Sequence, residues 1–431
     1  MKSRFWKYSL AISIVSISYL LSPANFVDKG PNQSCPIKFV HITKYAGFPM
    51  TCDAFELVGG SIKPSYLFSK NYHRQSRPLY ILSGSLFGYS IYFLSYPVHD
   101  LIREKAAPQF RNLVIPQRVP LYVSHFAGLV LINFIILLIS LWLFESIIEK
   151  YSGTRKNGKI LQFFLLVSLL ANNVTKQFFW VPHFQMFNTL MPLLAIWFFT
   201  INSDGLQSKK RIFLQGCTTG ILQLFYGSFI LLLPVLVLSL YKYQLKREFI
   251  KRIVVILTGF AIPIALWFFI IGINHILPYS DEMERFREFI WIEDVLMDTN
   301  NSFLKELFEN LRTYAGTSAT FIFPLAFFTI TYWIARTRRS PTQNTPIFSK
   351  EMKFIFGSTF VLTVLFFGLM GYYADRLTYS STVILLCCAG IFANKVKLSN
   401  GWTTVLSAFI ICWHLFLIFF EMPHFSDRFY R

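Results

Sequence analysis

Residues 212–241 read IFLQGCTTGILQLFYGSFILLLPVLVLSLY, thirty residues without a charge. As one helix at about 1.5 Å per residue they would extend roughly 45 Å, against a hydrocarbon core of about 30 Å. Lys209, Lys210 and Arg211 precede the stretch, Lys242 follows it, and Tyr226-Gly227-Ser228 sit in its middle. Basic residues mark the cytoplasmic ends of membrane spans. The stretch therefore reads as two short helices that rise and return, leaving both basic flanks on the cytoplasmic side.

The rest of the chain is of the same kind. Of 431 residues, 54% are hydrophobic, 18% aromatic and 15% charged, with a mean hydropathy of +0.47; a soluble domain is about a quarter charged. Runs such as 129–144 (LVLINFIILLISLWLF) and 354–373 cover most of a bilayer's width, where a helix needs about 20 apolar residues. This composition predicts an all-α polytopic integral membrane protein. The formal charge of +19, from 41 Lys and Arg against 22 Asp and Glu, does not point to nucleic acid. The basic residues gather at segment ends, as at Lys246, Arg247, Lys251 and Arg252, or Arg336, Arg338 and Arg339. Their expected partners are membrane lipids, through anionic headgroups.

Hydrophobic segments fall at about 8–22, 78–97, 119–144, 160–179, 184–201, 212–241, 252–272, 314–335, 354–373, 377–393 and 402–420. Segment 78–97 is diluted by Ser83, Gly84, Ser85, Gly88, Ser90 and Ser95, and reads as a helix lying at the interface with aromatic residues at headgroup depth. Counting 212–241 as two passes, the expected layout is a single membrane domain over 1–431 with about eleven transmembrane helices and a cytoplasmic N-terminus. Its outer side holds a long first loop, 23–118, and an acidic loop, 273–313, whose nine Asp and Glu face four basic residues. The alternative, a spanning 78–97 with one crossing through 212–241, moves loops 145–159 and 202–211 outside, and charge disfavours it only mildly. The first segment resembles a signal peptide in pattern but lacks a small-x-small cleavage site, and reads as a retained span. A bacterial plasma (inner) membrane is the expected location.

Cys217, Cys387, Cys388 and Cys412 lie inside hydrophobic segments as small apolar residues. Cys35 and Cys52 share the first outer loop, and in an oxidising compartment they are placed to form a disulfide. No Cys or His spacing suggests a metal, and no cofactor is expected.

The polar stretch 52–82, CDAFELVGGSIKPSYLFSKNYHRQSRPLYIL, departs from this pattern. Asp53 and Glu56 are three apart, one face of a helix, and a cationic run through His73, Arg74 and Arg77 follows. His73 and Arg74 read as surface residues, and the acidic run 281–298 as a solvated face.

Four stretches together resemble the GT-C superfamily of membrane glycosyltransferases, which use polyprenyl-phosphate sugars and include protein O-mannosyltransferases and lipid A aminoarabinose transferases. Asp53 and Arg77-Pro78-Leu79-Tyr80 stand where that family has an outer-loop acid and an Arg-Pro-Pro-Leu-Tyr-Pro start to a non-spanning helix, with the second Pro missing. Residues 183–199 (HFQMFNTLMPLLAIWFF) resemble the helix that returns to the cytoplasm. Residues 216–234 (GCTTGILQLFYGSFILLLP) match the short helical pair, with Phe225-Tyr226 where the family carries Lys or Arg at the tip. Asp375-Arg376-Leu377-Thr378-Tyr379 resembles a late Arg-Tyr motif. The resemblance spans about 1–241 and, loosely, 370–393.

Such a transfer needs a carboxylate to take the acceptor hydroxyl's proton and cations to stabilise the departing phosphate, at the membrane surface where that phosphate sits. The resemblance implies Asp53 as the base. Placement suggests Glu56 as a second carboxylate that positions the acceptor or raises the base's proton affinity, and Arg77 and Arg376 as donor-phosphate ligands. Lys176 and His183, near the outer ends of their helices, are possible substrate contacts. The expected partners are a polyprenyl-phosphate sugar and a lipid, glycan or protein acceptor. Two other readings stay open: a non-catalytic relative in envelope or glycan assembly, and a transporter or flippase. Transport paths usually carry intramembrane charge, and these spans hold almost none. Asp53 packed beside Arg376 in one cavity would favour the enzyme, and Asp53 left in solvent would not.

Overall fold

In the computed structural model, residues 2–23, 38–70, 72, 74–110, 114–153, 157–203, 208–241, 246–276, 288–297, 302–316, 322–338, 347–371 and 375–419 are described. Helix α1 (Lys2–Leu21) leads to a two-stranded antiparallel hairpin, β1 (Lys38–Thr43) and β2 (Ala46–Met50). Then come α2 (Cys52–Ile62), α3 (Pro78–Leu94), α4 (His99–Ala106) and α5 (Val119–Ser152). They are followed by α6 (Lys159–Leu170), α7 (Asn173–Phe178), α8 (Phe187–Ser203), α9 (Lys209–Gln223), α10 (Leu232–Tyr241) and α11 (Lys246–Ile273). The last are α12 (Ile290–Met297), α13 (Phe303–Gly316), α14 (Ile322–Thr337), α15 (Lys350–Met370), α16 (Asp375–Lys395) and α17 (Asn400–Phe419).

Six of these, α5, α8, α11, α15, α16 and α17, are long and apolar enough to cross a membrane. The protein is thus a helical membrane protein. Helices α16 and α8 are almost wholly enclosed, whereas α11 and α17 are mostly exposed, the distribution expected of a bundle whose outer helices meet lipid. Two details correct the expected pattern. The hairpin 38–50 makes the chain not purely helical. Segment 160–179 is two helices, because Asn172 caps α7 by accepting the Thr175 N–H at 2.8 Å and its own N–H leaves the α6 pattern for Leu170. At twelve residues, about 18 Å, α6 alone is shorter than the hydrocarbon core.

The stretch 212–241 does turn back on itself. Gln215, early in α9, donates to Asn202 at the end of α8, and Asn202 donates to Ser239 near the end of α10. Both ends of the pair therefore lie at one end of the bundle and the Tyr226 tip at the other. At the first end also sit the Arg4–Glu149 and Lys7–Glu145 ion pairs and the Gln162–Asn394 bond. Helix α9 lies against α11 at backbone distance. A Cβ on Gly216 would sit 2.4 Å from the Ile256 carbonyl oxygen, and one on Gly220 2.3 Å from that of Phe260, the close approach that small-xxx-small spacing permits.

The hairpin, α2, α3 and α4 gather on the N-terminal half of α5, with α3 packed antiparallel to it, Gly84 against Leu129 and Gly88 against His125. Leu82, Leu86, Tyr89 and Phe93 face outward from α3, and Tyr96 is exposed just beyond its end. Asp53 and His183 meet at 3.1 Å. With single crossings through 119–144 and 160–179, a spanning 78–97 would hold them at opposite ends of the bundle.

Candidate active site

The site begins with how its side chains are held. Thr51 caps α2 by accepting the Ala54 N–H, so Asp53 stands in the first helical turn, where a carboxylate is favoured. Residues 74–77 form a turn: the Gln75 N–H donates to Tyr72 and the Arg77 N–H to Arg74. Gln75 donates its side-chain amide to Leu67 and Ser69, and the indole of Trp267 on α11 donates to the Gln75 carbonyl at 3.0 Å. Pro78 opens α3 and has no N–H. The first that α3 offers, Leu79, donates to Leu224 at the tip of the α9–α10 pair. The arginine-bearing turn is thereby fixed to two other elements.

Asp53, Arg74, Arg77, His183, Gln185, Gln223, Tyr226, Ser228, Glu288 and Arg376 line one cavity of about 500 Å³, with Phe184, Leu231 and Phe366 among its apolar lining. Arg74 is buried. It pairs with Asp53 and, at 3.1 Å, with Glu56. His183 donates its Nε2–H to the other oxygen of Asp53. Burial would push the Asp53 carboxyl up, but the His183 hydrogen bond and the charges of Arg74 and Arg376 hold it well below the usual carboxylate range. Burial pushes His183 down to about 4 against the pull of Asp53, with Arg376 and Arg74 adding to the shift. At neutral pH the pair is thus a carboxylate and a neutral imidazole. The Asp53 side chain still keeps 40% of its surface exposed, so a ligand in the cavity can reach it.

Arg77 places its guanidinium carbon 3.6 Å from the Phe184 ring centroid and 5.5 Å from that of Tyr226. Tyr226 donates to Asn188 at 3.1 Å, and Asn188 donates to Gln185 at 2.5 Å. Arg376, in the first turn of α16, sits 6.0 Å from the Phe178 ring. On the remaining wall Phe289 takes a left-handed backbone (φ 65°), a strained conformation for a bulky residue. Its N–H bonds Met370 at 3.0 Å, and the Trp291 indole bonds Leu369 at 2.8 Å. Gly371 (φ 74°) leaves room for that indole, since a Cβ there would come within 2.5 Å of it.

Asp53, Arg77, His183 and Arg376, named from the sequence, come together, although Asp53 and Arg376 are far apart in the chain. Glu56 touches the group through Arg74 but is exposed and outside the lining. Lys176 is buried elsewhere, donating to the Leu417 carbonyl, and does not line the cavity. Arg74, read from the sequence as a surface residue, is instead the buried bridge between the two carboxylates. Glu288, read within a solvated acidic run, lines the cavity. Cys52 is disulfide-bonded; Cys35 and His73 lie outside the described residues. Among the described residues no cluster of three His, Cys, Asp or Glu is arranged to hold a metal ion.

The arrangement can hold an anion against two arginines while presenting an ionised carboxylate to a neighbouring group. In comparison with known proteins, no protein family, curated protein or solved structure matches the chain.

Proposed function

We propose that this protein is a membrane glycosyltransferase of the GT-C kind, moving a sugar from a polyprenyl-phosphate donor to a lipid, glycan or protein acceptor outside the cytoplasm. The observation that carries the reading is the meeting of Asp53, Arg77, His183 and Arg376 in one cavity. In the proposed step the acceptor oxygen bonds the anomeric carbon and its proton passes to Asp53. The bond from that carbon to the phosphate oxygen breaks, and its electron pair leaves with the polyprenyl phosphate beside Arg77 and Arg376. The eleven-crossing layout in a bacterial plasma membrane belongs to the same proposal. It sets Asp53, Arg77, His183, Tyr226, Glu288 and Arg376 all on the outer side, where a lipid phosphate lies.

A second reading is a non-catalytic protein that keeps the cavity. It is favoured by Asp53 having one oxygen engaged by Arg74 and the other by His183, which lowers its proton affinity.

One assay separates them: sugar release from a polyprenyl-phosphate donor, with expression and thermal stability followed in parallel. Asp53→Asn is expected to lower transfer at least about a hundredfold, within the 10²–10⁴ typical of general-base loss. Glu56→Gln should cost less, and Arg376→Ala should weaken donor use. Undiminished transfer by Asp53→Asn in folded protein would sink the catalytic role of Asp53.

A further inference from the structure

Arg77 is held by rings as well as by backbone, and this bears on what it binds. Its guanidinium lies over Phe184 at 3.6 Å, with Tyr226 at 5.5 Å. The two rings, 5.4 Å apart and tilted by 31°, form a continuous aromatic surface that Phe187 backs at 6.0 Å from Tyr226. Both rings are buried. Tyr226 is itself oriented through its hydroxyl bond to Asn188. The Leu79–Leu224 backbone bond ties the start of α3 to the tip that carries Tyr226. Backbone and rings therefore converge on one guanidinium.

Stacking covers a face of a guanidinium. Its N–H donors all lie in the plane, so a stacked arginine meets a ligand with its edge, as a fork matched to two oxygens of a phosphate or carboxylate. A lysine in the same place would supply charge without the fork.

We propose that Tyr226 and Phe184 are positioning residues that set Arg77 edge-on in the cavity as a bidentate ligand for a phosphate ester. This rests on the glycosyl-transfer reading for the identity of the phosphate as a lipid phosphate, but the geometry of the shelf stands apart from it. The tip of the α9–α10 pair then contributes a ring that aims a cation carried by another element, rather than a cation of its own.

The test is binding of farnesyl phosphate, and separately of inorganic phosphate, to the purified full chain in detergent by calorimetry. The wild type should bind farnesyl phosphate. Tyr226→Leu should weaken that binding about three- to thirtyfold, the range a cation–π contact is worth. Tyr226→Phe, which keeps the ring, should restore it to within about threefold of wild type. Arg77→Lys should weaken it about tenfold despite the retained charge, as loss of one charge-assisted fork implies. Phe184→Leu is the second route should Tyr226→Leu fail to fold, and the same weakening is expected. In the transfer assay Tyr226→Leu should raise the donor KM more than it lowers kcat.

The proposal is overturned by Arg77→Lys or a folded ring-removing variant binding like wild type. It is also overturned by a wild type that binds neither phosphate. Equal weakening of both phosphates supports the shelf as a general phosphate site, and weakening of farnesyl phosphate alone supports a lipid phosphate. The predicted binding pattern without any sugar transfer would support the shelf while removing the glycosyltransferase reading.

Discussion

Arg74 changes what Asp53 can be. Two carboxylates three residues apart suggest mutual repulsion, and with it a base of raised proton affinity. The structure instead puts a buried guanidinium between them and a neutral imidazole on the far oxygen. Nothing in the cationic run distinguishes Arg74 from Arg77 or His73, because the difference lies in a fold that brings 74 back onto 53. His183 allows a direct check. Its pKa is about 4 in the folded protein against about 6.5 when unfolded. Between those values the unfolded chain binds a proton that the folded one refuses, so stability falls as pH drops from 6.5 towards 4. Asp53, held below its ordinary value, contributes the same sign of change only below about pH 4. Thermal melting in detergent across pH 4–8 should show His183→Gln losing less stability in this window than wild type, by up to about 3 kcal/mol. Parallel curves for the two proteins would mean that His183 titrates normally.

At the scale of elements, most helices were legible because an apolar run bounded by charge has few alternatives in a membrane protein. Segments 119–144, 354–373 and 402–420 correspond to α5, α15 and α17. The Tyr226-Gly227-Ser228 interruption marked the turn between α9 and α10. The break at Asn172 was not legible, since one asparagine in an apolar run is tolerated in a helix as readily as it caps one. The hairpin 38–50 is too short and irregular for an alternating pattern to stand out, and His41 to Thr43 carries a shift in register. Gly216 and Gly220 stand four apart in the sequence, but only their contact with α11 gives them a purpose. Gly220→Leu must push α9 off the Phe260 carbonyl, an overpacking expected to cost about 1–3 kcal/mol. Because α9 ends at Gln223 in the cavity wall, farnesyl phosphate binding should fall with it. Gly158→Ala, where a Cβ meets nothing within 4 Å, should leave both melting and binding unchanged.

For the whole molecule the question is which way the bundle stands in the bilayer. Contacts group the chain into two ends. One holds Asp53, Arg77, His183, Tyr226 and Arg376; the other holds Lys7, Glu145, Asn202, Gln215, Ser239 and Asn394. The second end is flanked by Lys209, Lys210, Arg211, Lys251 and Arg252, and by Arg336 and Arg338, whereas the acidic Glu288 lines the cavity at the first. If Lys and Arg stay on the cytoplasmic side, the expected orientation is one with the cavity facing outward. The prediction is tested with single cysteines in a background lacking Cys217, Cys387, Cys388 and Cys412, all free and separate from the Cys52 disulfide. Gly158→Cys and Ser208→Cys, both exposed and at the basic end, should react with an impermeant maleimide only after the membrane is opened. Ile115→Cys, 59% exposed beside α5, should react in intact cells. Labelling of Ser208→Cys from outside, with Ile115→Cys protected, would invert the molecule. The cavity would then face the cytoplasm, and an acceptor outside the cell could not reach Asp53.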